Sequence, residues 1–198
     1  MAFSNRFAVA ALVSVAAVGV SGCGYNTIPT QEEAAKAQWA EVQNQYQRRS
    51  DLIGNLVATV QGAAAQERAV LTEIAEARAS ATRPQFDAST ITDPAKFAEF
   101  QAAQDRLTGV FGRLMSITEN YPELRSLESF QTLQSQIEGT ENRIAIARRD
   151  YNAAVQTYNT TLRTFPNVIW ANTVHGGSKP MQLFQASAGA ERAPQVKF

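Results

Sequence analysis

One feature restricts what this chain can fold into: an apolar seam held in heptad register. Stepping three and four residues alternately from Trp39 reaches Val42, Tyr46, Arg49, Ile53, Leu56, Val60, Ala63, Glu67, Val70, Ile74, Ala77 and Ala81, and only Arg49 and Glu67 are charged. A seam of this length belongs to a helix packed against other helices. No proline interrupts Gln31 to Arg83, so a single first helix is expected there. Its cheapest points of bending are Gly54 and Gly62.

Two further seams follow. Thr92-Asp93-Pro94 is a helix start, with a capping side chain and proline at the first helical position. The same stepping then gives Phe97, Phe100, Gln104, Leu107, Phe111 and Leu114, until Asn120-Tyr121-Pro122 ends the helix. From about Ser126 a third seam reads Phe130, Leu133, Ile137, Thr140, Ile144, Ala147, Tyr151, Ala154, Tyr158, Thr161 and Phe165, with Pro166 as the stop. Large residues fill one heptad position and mostly small ones the other, as interdigitating helices require. The three helices would be roughly 75, 39 and 58 Å long. The expected fold is all-α: an elongated antiparallel bundle of three long helices over residues 31–175, with a short C-terminal helix within 167–175. Residues 176–198, rich in Ala, Gly, Pro and Ser, read as a poorly ordered tail.

The N-terminus is of a different kind. Arg6 is the only charge in residues 1–22, and Phe7 to Gly22 is a run of 16 apolar or small residues. That is a secretory signal, short of the roughly 20 residues that span a bilayer core. Val20-Ser21-Gly22-Cys23 resembles the bacterial lipobox. The resemblance implies cleavage before Cys23, a diacylglycerol thioether on its sulfur and acylation of the new amino terminus. Two or three acyl chains anchor stably where one does not. The alternative is an uncleaved anchor helix in which Cys23 is an ordinary apolar residue. Residues 23–30 would be the lipidated tether. Gly24 in place of Asp leans toward the outer membrane in a Gram-negative source.

Several stretches are specific enough to compare with a known family. Gln47-Arg48-Arg49-Ser50-Asp51-Leu52-Ile53-Gly54-Asn55-Leu56-Val57 closely resembles the QxRRxDLIPNLV signature of the LemA family, and Glu138 to Asn152 is similar to its second signature. Tyr121-Pro122-Glu123-Leu124 matches the family's YPxL corner, and Tyr158-Asn159 and Phe165-Pro166 follow at its spacing. The likeness runs from about Tyr25 to Phe165. Departures are Gly54 where the family has Pro, Gln66 where His commonly stands, and a loosely kept stretch from His175 to Phe184. The resemblance implies a helical bundle displayed outside the cytoplasmic membrane by an N-terminal anchor, and supplies no activity.

Composition excludes much else. With 18 basic and 18 acidic residues the formal net charge is zero, so no broad basic surface offers itself to nucleic acid. One Cys rules out an intrachain disulfide, and one His leaves the usual zinc clusters unformed, so no metal or cofactor is expected. No HExxH, GxSxG, Walker A or GxGxxG pattern occurs, and the chain reads as a non-enzyme. The candidate site is a polar cluster: Arg48, Arg49, Asp51, Asn55 and Glu67 on the first helix with Glu141, Asn142, Arg143, Arg148, Asp150, Asn152 and Asn159 on the third. It either binds a ligand or partner, or fixes helix register through ion pairs and hydrogen bonds, because a charge in an apolar seam must be paired or reach solvent. Tyr151 and Tyr158 read as core, and His175 as a surface loop residue. Charged residues are only 18% of the chain, and the small, uncharged helix faces suit self-association or a protein partner. The expected function is a lipid-anchored adaptor or scaffold in the cell envelope. Alternatives are a small-ligand binding protein using the polar cluster, or an enzyme of unrecognised type.

Overall fold

Helix α1 (Thr27–Val60) carries the seam from Trp39 to Val60, and α2 (Arg68–Ala81) carries Val70, Ile74, Ala77 and Ala81. After them come a 3₁₀ turn (Thr90–Thr92), α3 (Pro94–Thr118), a single turn α4 (Pro122–Arg125), α5 (Glu128–Thr161) and the short α6 (Asn167–Asn172). This computed structural model describes residues 25–61, 67–83 and 86–185. Among them the architecture is all-α, an antiparallel bundle of four long helices.

The expected first helix is therefore two, and the break between them is not at Gly54. Helix α1 runs continuously through Gly54 and ends at Val60. Arg78 of α2 then returns to α1, its Nε donating to Ser50 Oγ at 3.2 Å and its guanidinium lying within 3.5 Å of Asp51. A Cβ at Gly54 would sit 3.0 Å from the Arg78 guanidinium carbon, so glycine leaves room for that return. The reason is burial. A single straight rod would leave half its seam without a partner. Folded back, Leu71, Ile74, Ala77 and Ala81 join Leu52, Ile53, Leu56 and Val60 in one buried cluster. A heptad pattern continues unchanged through such a reversal, which hides it from the sequence. Gly62 lies outside the described residues.

The other boundaries follow local chemistry. Asp93 caps α3, its Oδ1 accepting from the Ala95 and Lys96 amides at 2.9 and 3.2 Å, with Pro94 in the first turn. Pro122 opens α4, and Leu124 beneath it is buried. Helices α1 and α5 run antiparallel: Trp39 meets Tyr151 at 5.6 Å between ring centroids, and ten residues further along α1 Arg49 meets Glu141. Helices α2 and α3 are also antiparallel, with a row of exposed ion pairs, Arg83–Glu99, Glu76–Arg106 and Glu73–Arg113. Such pairs stabilise little, but their order matches one register.

Two apolar clusters divide the length of the bundle. One is rich in aromatics and holds Trp39, Tyr46, Phe86, Phe97, Phe100, Tyr151 and Phe184; the other is mainly aliphatic and holds Leu56, Val60, Ile74, Leu107, Leu114 and Ile137.

Both ends of the expected domain need correction. The tether cannot extend to residue 30, since α1 starts at Thr27 and Ile28 is wholly buried. The expected poorly ordered tail does not begin at Gly176: Met181 and Phe184 are core residues, and the segment through Gln185 is fixed along α5. The signal run, Cys23 and residues 186–198 lie outside the described residues. Among the described residues no helix is long and apolar enough to cross a membrane.

Candidate functional site

The residues expected to form one polar cluster instead occupy separate places. The first is a polar layer between the two apolar clusters. Arg49 is 3% exposed. Its Nη1 donates to Thr108 Oγ1 at 2.9 Å and to Glu141 Oε1 at 3.0 Å, and its Nη2 donates to Gln104 Oε1 at 2.7 Å. The guanidinium also sits 5.0 Å from the Tyr46 ring centroid. Gln104 passes the connection on, its Nε2 donating to the Ala81 carbonyl at 2.9 Å. That carbonyl belongs to the last turn of α2, where backbone acceptors lack a helical donor. All four long helices thus meet at one arginine: α1 supplies Arg49, α3 supplies Gln104 and Thr108, α2 its terminal carbonyl, and α5 Glu141. A cavity of about 100 Å³ adjoins the layer, lined by Gln43, Tyr46, Phe100 and Gln104 among others. That is room for a few waters, below the several hundred Å³ of ordinary small-molecule sites.

The second place is a clamp on α5. Asn152 donates from Nδ2 to the Phe184 carbonyl at 3.0 Å and accepts from the Phe184 amide at 2.9 Å. One heptad later Asn159 does the same to Met181, at 2.9 Å in both directions. The hydroxyls of the preceding tyrosines add two contacts, Tyr151 to the Gln182 carbonyl at 2.8 Å and Tyr158 to the Lys179 carbonyl at 3.2 Å. Arg148 covers the far end, donating to the Gln185 carbonyl and lying 4.5 Å from the Phe184 ring centroid. From the other side the Ile91 carbonyl accepts from the Gln182 amide. The side chains of α5 therefore hold an extended backbone much as a neighbouring strand would, while Met181 and Phe184 point into the core.

Elsewhere, Asp51 faces Arg78 and Gln47 on the surface, Asp150 pairs with adjacent Arg149, and Glu67 accepts from the Tyr121 hydroxyl at 3.2 Å. Arg48, Asn55, Asn142 and Arg143 are exposed. The scatter has a geometric cause: on α1, Arg48 is one residue from Arg49, which turns it about 100° away around the helix. Gln104 and Thr108 were missed as polar partners, although Gln104 stood out as an amide in an apolar seam. His175 is half-buried, its Nε2 3.0 Å from the Tyr25 carbonyl oxygen.

Tyr151 and Tyr158 are core residues, as expected, with their hydroxyls engaged. Burial pushes the Tyr151 phenol well above its usual range. Tyr46 is raised chiefly by burial, opposed by Arg148 and Arg49, and Tyr158 is raised by burial, opposed by the Ser178 hydrogen bond. These phenols stay neutral in the fold after their unfolded counterparts ionise. Stability from this source is therefore complete below pH about 10 and declines above it, for Tyr151 by about 1.4 kcal/mol per pH unit. Urea midpoints measured from pH 8 to 11.5 should be flat and then fall. Tyr151→Phe should make the fall shallower; an unchanged slope would count against this assignment.

The family model described as LemA family matches residues 38–198. Magnetosome proteins MamQ 1 and MamQ 2 of Paramagnetospirillum magneticum are each 28% identical over 159 residues, covering 72% of this chain and 58% of theirs. Magnetosome protein MamQ of Magnetospirillum gryphiswaldense is 26% identical over 175 residues, covering 80% of this chain and 64% of its own. The chain thus spans about three-fifths of the length of these curated relatives.

Proposed function

The chain belongs to the LemA family, and from that premise we propose that it is a non-enzymatic adaptor, a rigid helical bundle held at a membrane of the cell envelope by lipid on Cys23. The observation that carries the adaptor reading is how the signature side chains are used. Arg49 and Glu141 join helices, and Asn152 and Asn159 join α5 to the C-terminal segment. The polar groups with the most distinctive sequence context are thus engaged inside the protein, and what faces outward is helix surface. Arg48, Asn142 and Arg143 are among the exposed signature residues, together with Asn55, and are open to a partner. The lipid reading is supported by Val20-Ser21-Gly22-Cys23 at the end of the apolar run, and Gly24 after it favours the outer membrane where the source has one.

Photo-crosslinkers placed at positions 48, 142 and 143 of the full chain in native membranes test the adaptor. A discrete, position-dependent adduct is expected; its absence at all three overturns the reading. Metabolic palmitate labelling tests the anchor: Cys23→Ala should abolish the label and move the protein out of the membrane fraction. Label retained by that variant would exclude Cys23 as the acylated residue.

A further inference from the structure

Four of the seven exposed large apolar side chains among the described residues gather at one end of the bundle, while Leu127, Ile146 and Leu183 are spread singly over the rest. Tyr25 is 46% exposed, Phe165 76%, Ile169 50% and Val174 52%. All belong to the same end, because the segment from Phe165 to His175 closes over the start of α1. Trp170 of α6 meets the Tyr25 ring edge-on at 5.8 Å between centroids, and the His175 ring lies 5.6 Å from it. Scattered exposed apolar residues are common on proteins, whereas several on one end mark a contact surface.

Two features of the chain say what that surface meets. Tyr25 follows the apolar run Phe7 to Gly22 and Cys23 by two residues, at most about 7 Å of extended chain. Whether the membrane is entered by acyl chains on Cys23 or by the run itself, this end of the bundle is delivered to it. The charge agrees. No Asp or Glu occurs from Tyr151 to Ala190, and Arg163 and Lys179 are the basic residues of that stretch. The carboxylates near the start of α1, Glu32 and Glu33, are both held by Lys36 at 2.8 Å. Tyrosine, phenylalanine and aliphatic tips on a stretch whose only Lys and Arg are Arg163 and Lys179, with no carboxylate side chain, suit an anionic bilayer interface, where aromatic rings lie at headgroup level and cations are attracted.

We propose that Tyr25, Phe165, Ile169 and Val174 form a membrane-contacting face that seats the bundle end-on in the interface of an anionic bilayer. The inference rests on the anchoring reading and deepens it: the anchor brings the protein to the membrane, and this face sets its orientation. The long helices then stand away from the surface, with their sides open to partners.

The test uses the full chain on phosphatidylethanolamine–phosphatidylglycerol vesicles whose acyl chains carry bromine, a contact quencher of tryptophan. Phe165→Trp places a reporter on the proposed face. Ile146→Trp places one at a 43% exposed site on α5, about 22 Å along the helix from its end. Flotation with the vesicles is recorded in parallel. Above the background of Trp39 and Trp170, quenching at position 165 should exceed that at position 146 by at least about twofold. Flotation with equal or no quenching overturns the face while leaving the anchor intact. No flotation and no quenching overturns both.

Discussion

Replacing Asn152 and Asn159 together by alanine will release residues 178–185 from α5 and leave the four long helices folded. The wild-type pair supplies four hydrogen bonds to the backbone of Met181 and Phe184. At about 1 kcal/mol net each, with a further penalty for any group left buried and unpaired, the loss is about 4 kcal/mol or more. Against it stand the Met181 and Phe184 side chains, which gain about 2 kcal/mol apiece from burial. Tyr151, Tyr158, Arg148 and the Ile91 carbonyl add four further hydrogen bonds, about 4 kcal/mol more, against a cost of about 1–2 kcal/mol for ordering each of eight residues. The segment is therefore held by a narrow margin, and the amides decide it. Helix pairing is a separate matter, because the α1–α5 contact continues through Trp39, Val42 and Tyr46 without the segment. Hydrogen exchange reads the result directly, since the Met181 and Phe184 amides are the protons donated to the two Asn Oδ1 atoms. Their exchange should accelerate by about a hundredfold or more, with mid-helix amides of α1 and α5 little changed. Undiminished protection at Met181 and Phe184 would show that packing alone holds the segment.

This clamp also marks where sequence reasoning stopped. The seam rule finds amphipathic helices because every third or fourth residue must be buried, and α3 and α5 begin and end near where Asp93-Pro94, Pro122 and Pro166 say they should. It assigned Tyr151 and Tyr158 to the core for the same reason. It is blind to an extended segment whose fit depends on backbone hydrogen bonds from another element, so residues 178–185 looked like tail. The signal present was the repeated Tyr-Asn doublet at 151–152 and 158–159. An amide beside each core tyrosine lies at the edge of the seam, where it can reach over and satisfy a passing backbone. The reversal between α1 and α2 was hidden differently. A heptad seam has the same spacing on a straight helix and on a hairpin, and with no proline or long polar run the chain gave little notice of the turn. The polar cluster was half legible: Arg49 had to be paired, and Glu141 was among the candidates, but only the bundle showed that Gln104 and Thr108 complete the set.

The Arg49 layer leads to an asymmetry that a symmetrical view of salt bridges would miss. Removing Glu141 should harm stability more than removing Arg49. Arg49 is 3% exposed, whereas the Glu141 side chain is 42% exposed. In Arg49→Met the surviving carboxylate can be solvated, the methionine fills much of the arginine's path, and what is lost is chiefly the donor to Gln104 Oε1. That variant should cost about 1–2 kcal/mol. In Glu141→Ala the guanidinium stays in the core with only neutral partners, Gln104 and Thr108. The expected cost is about 3 kcal/mol, toward the lower part of the range for a broken buried pair because one partner was half in water. Glu141→Gln keeps an acceptor for Arg49 and should fall between the two. Combining Glu141→Ala with Arg49→Met should recover most of the loss, since the stranded charge is then gone. Urea unfolding of the three single variants and the double gives the coupling directly. Equal single effects that simply add would mean Arg49 and Glu141 act independently. A double variant as stable as Arg49→Met alone would place the cost of losing Glu141 on the buried charge it leaves behind. The layer would then set which residues lie opposite each other along α1, α2, α3 and α5, and contribute little to how tightly the helices hold. Two apolar clusters on four helices could each be satisfied after a one-heptad slip, but the arginine has its partners in one alignment only.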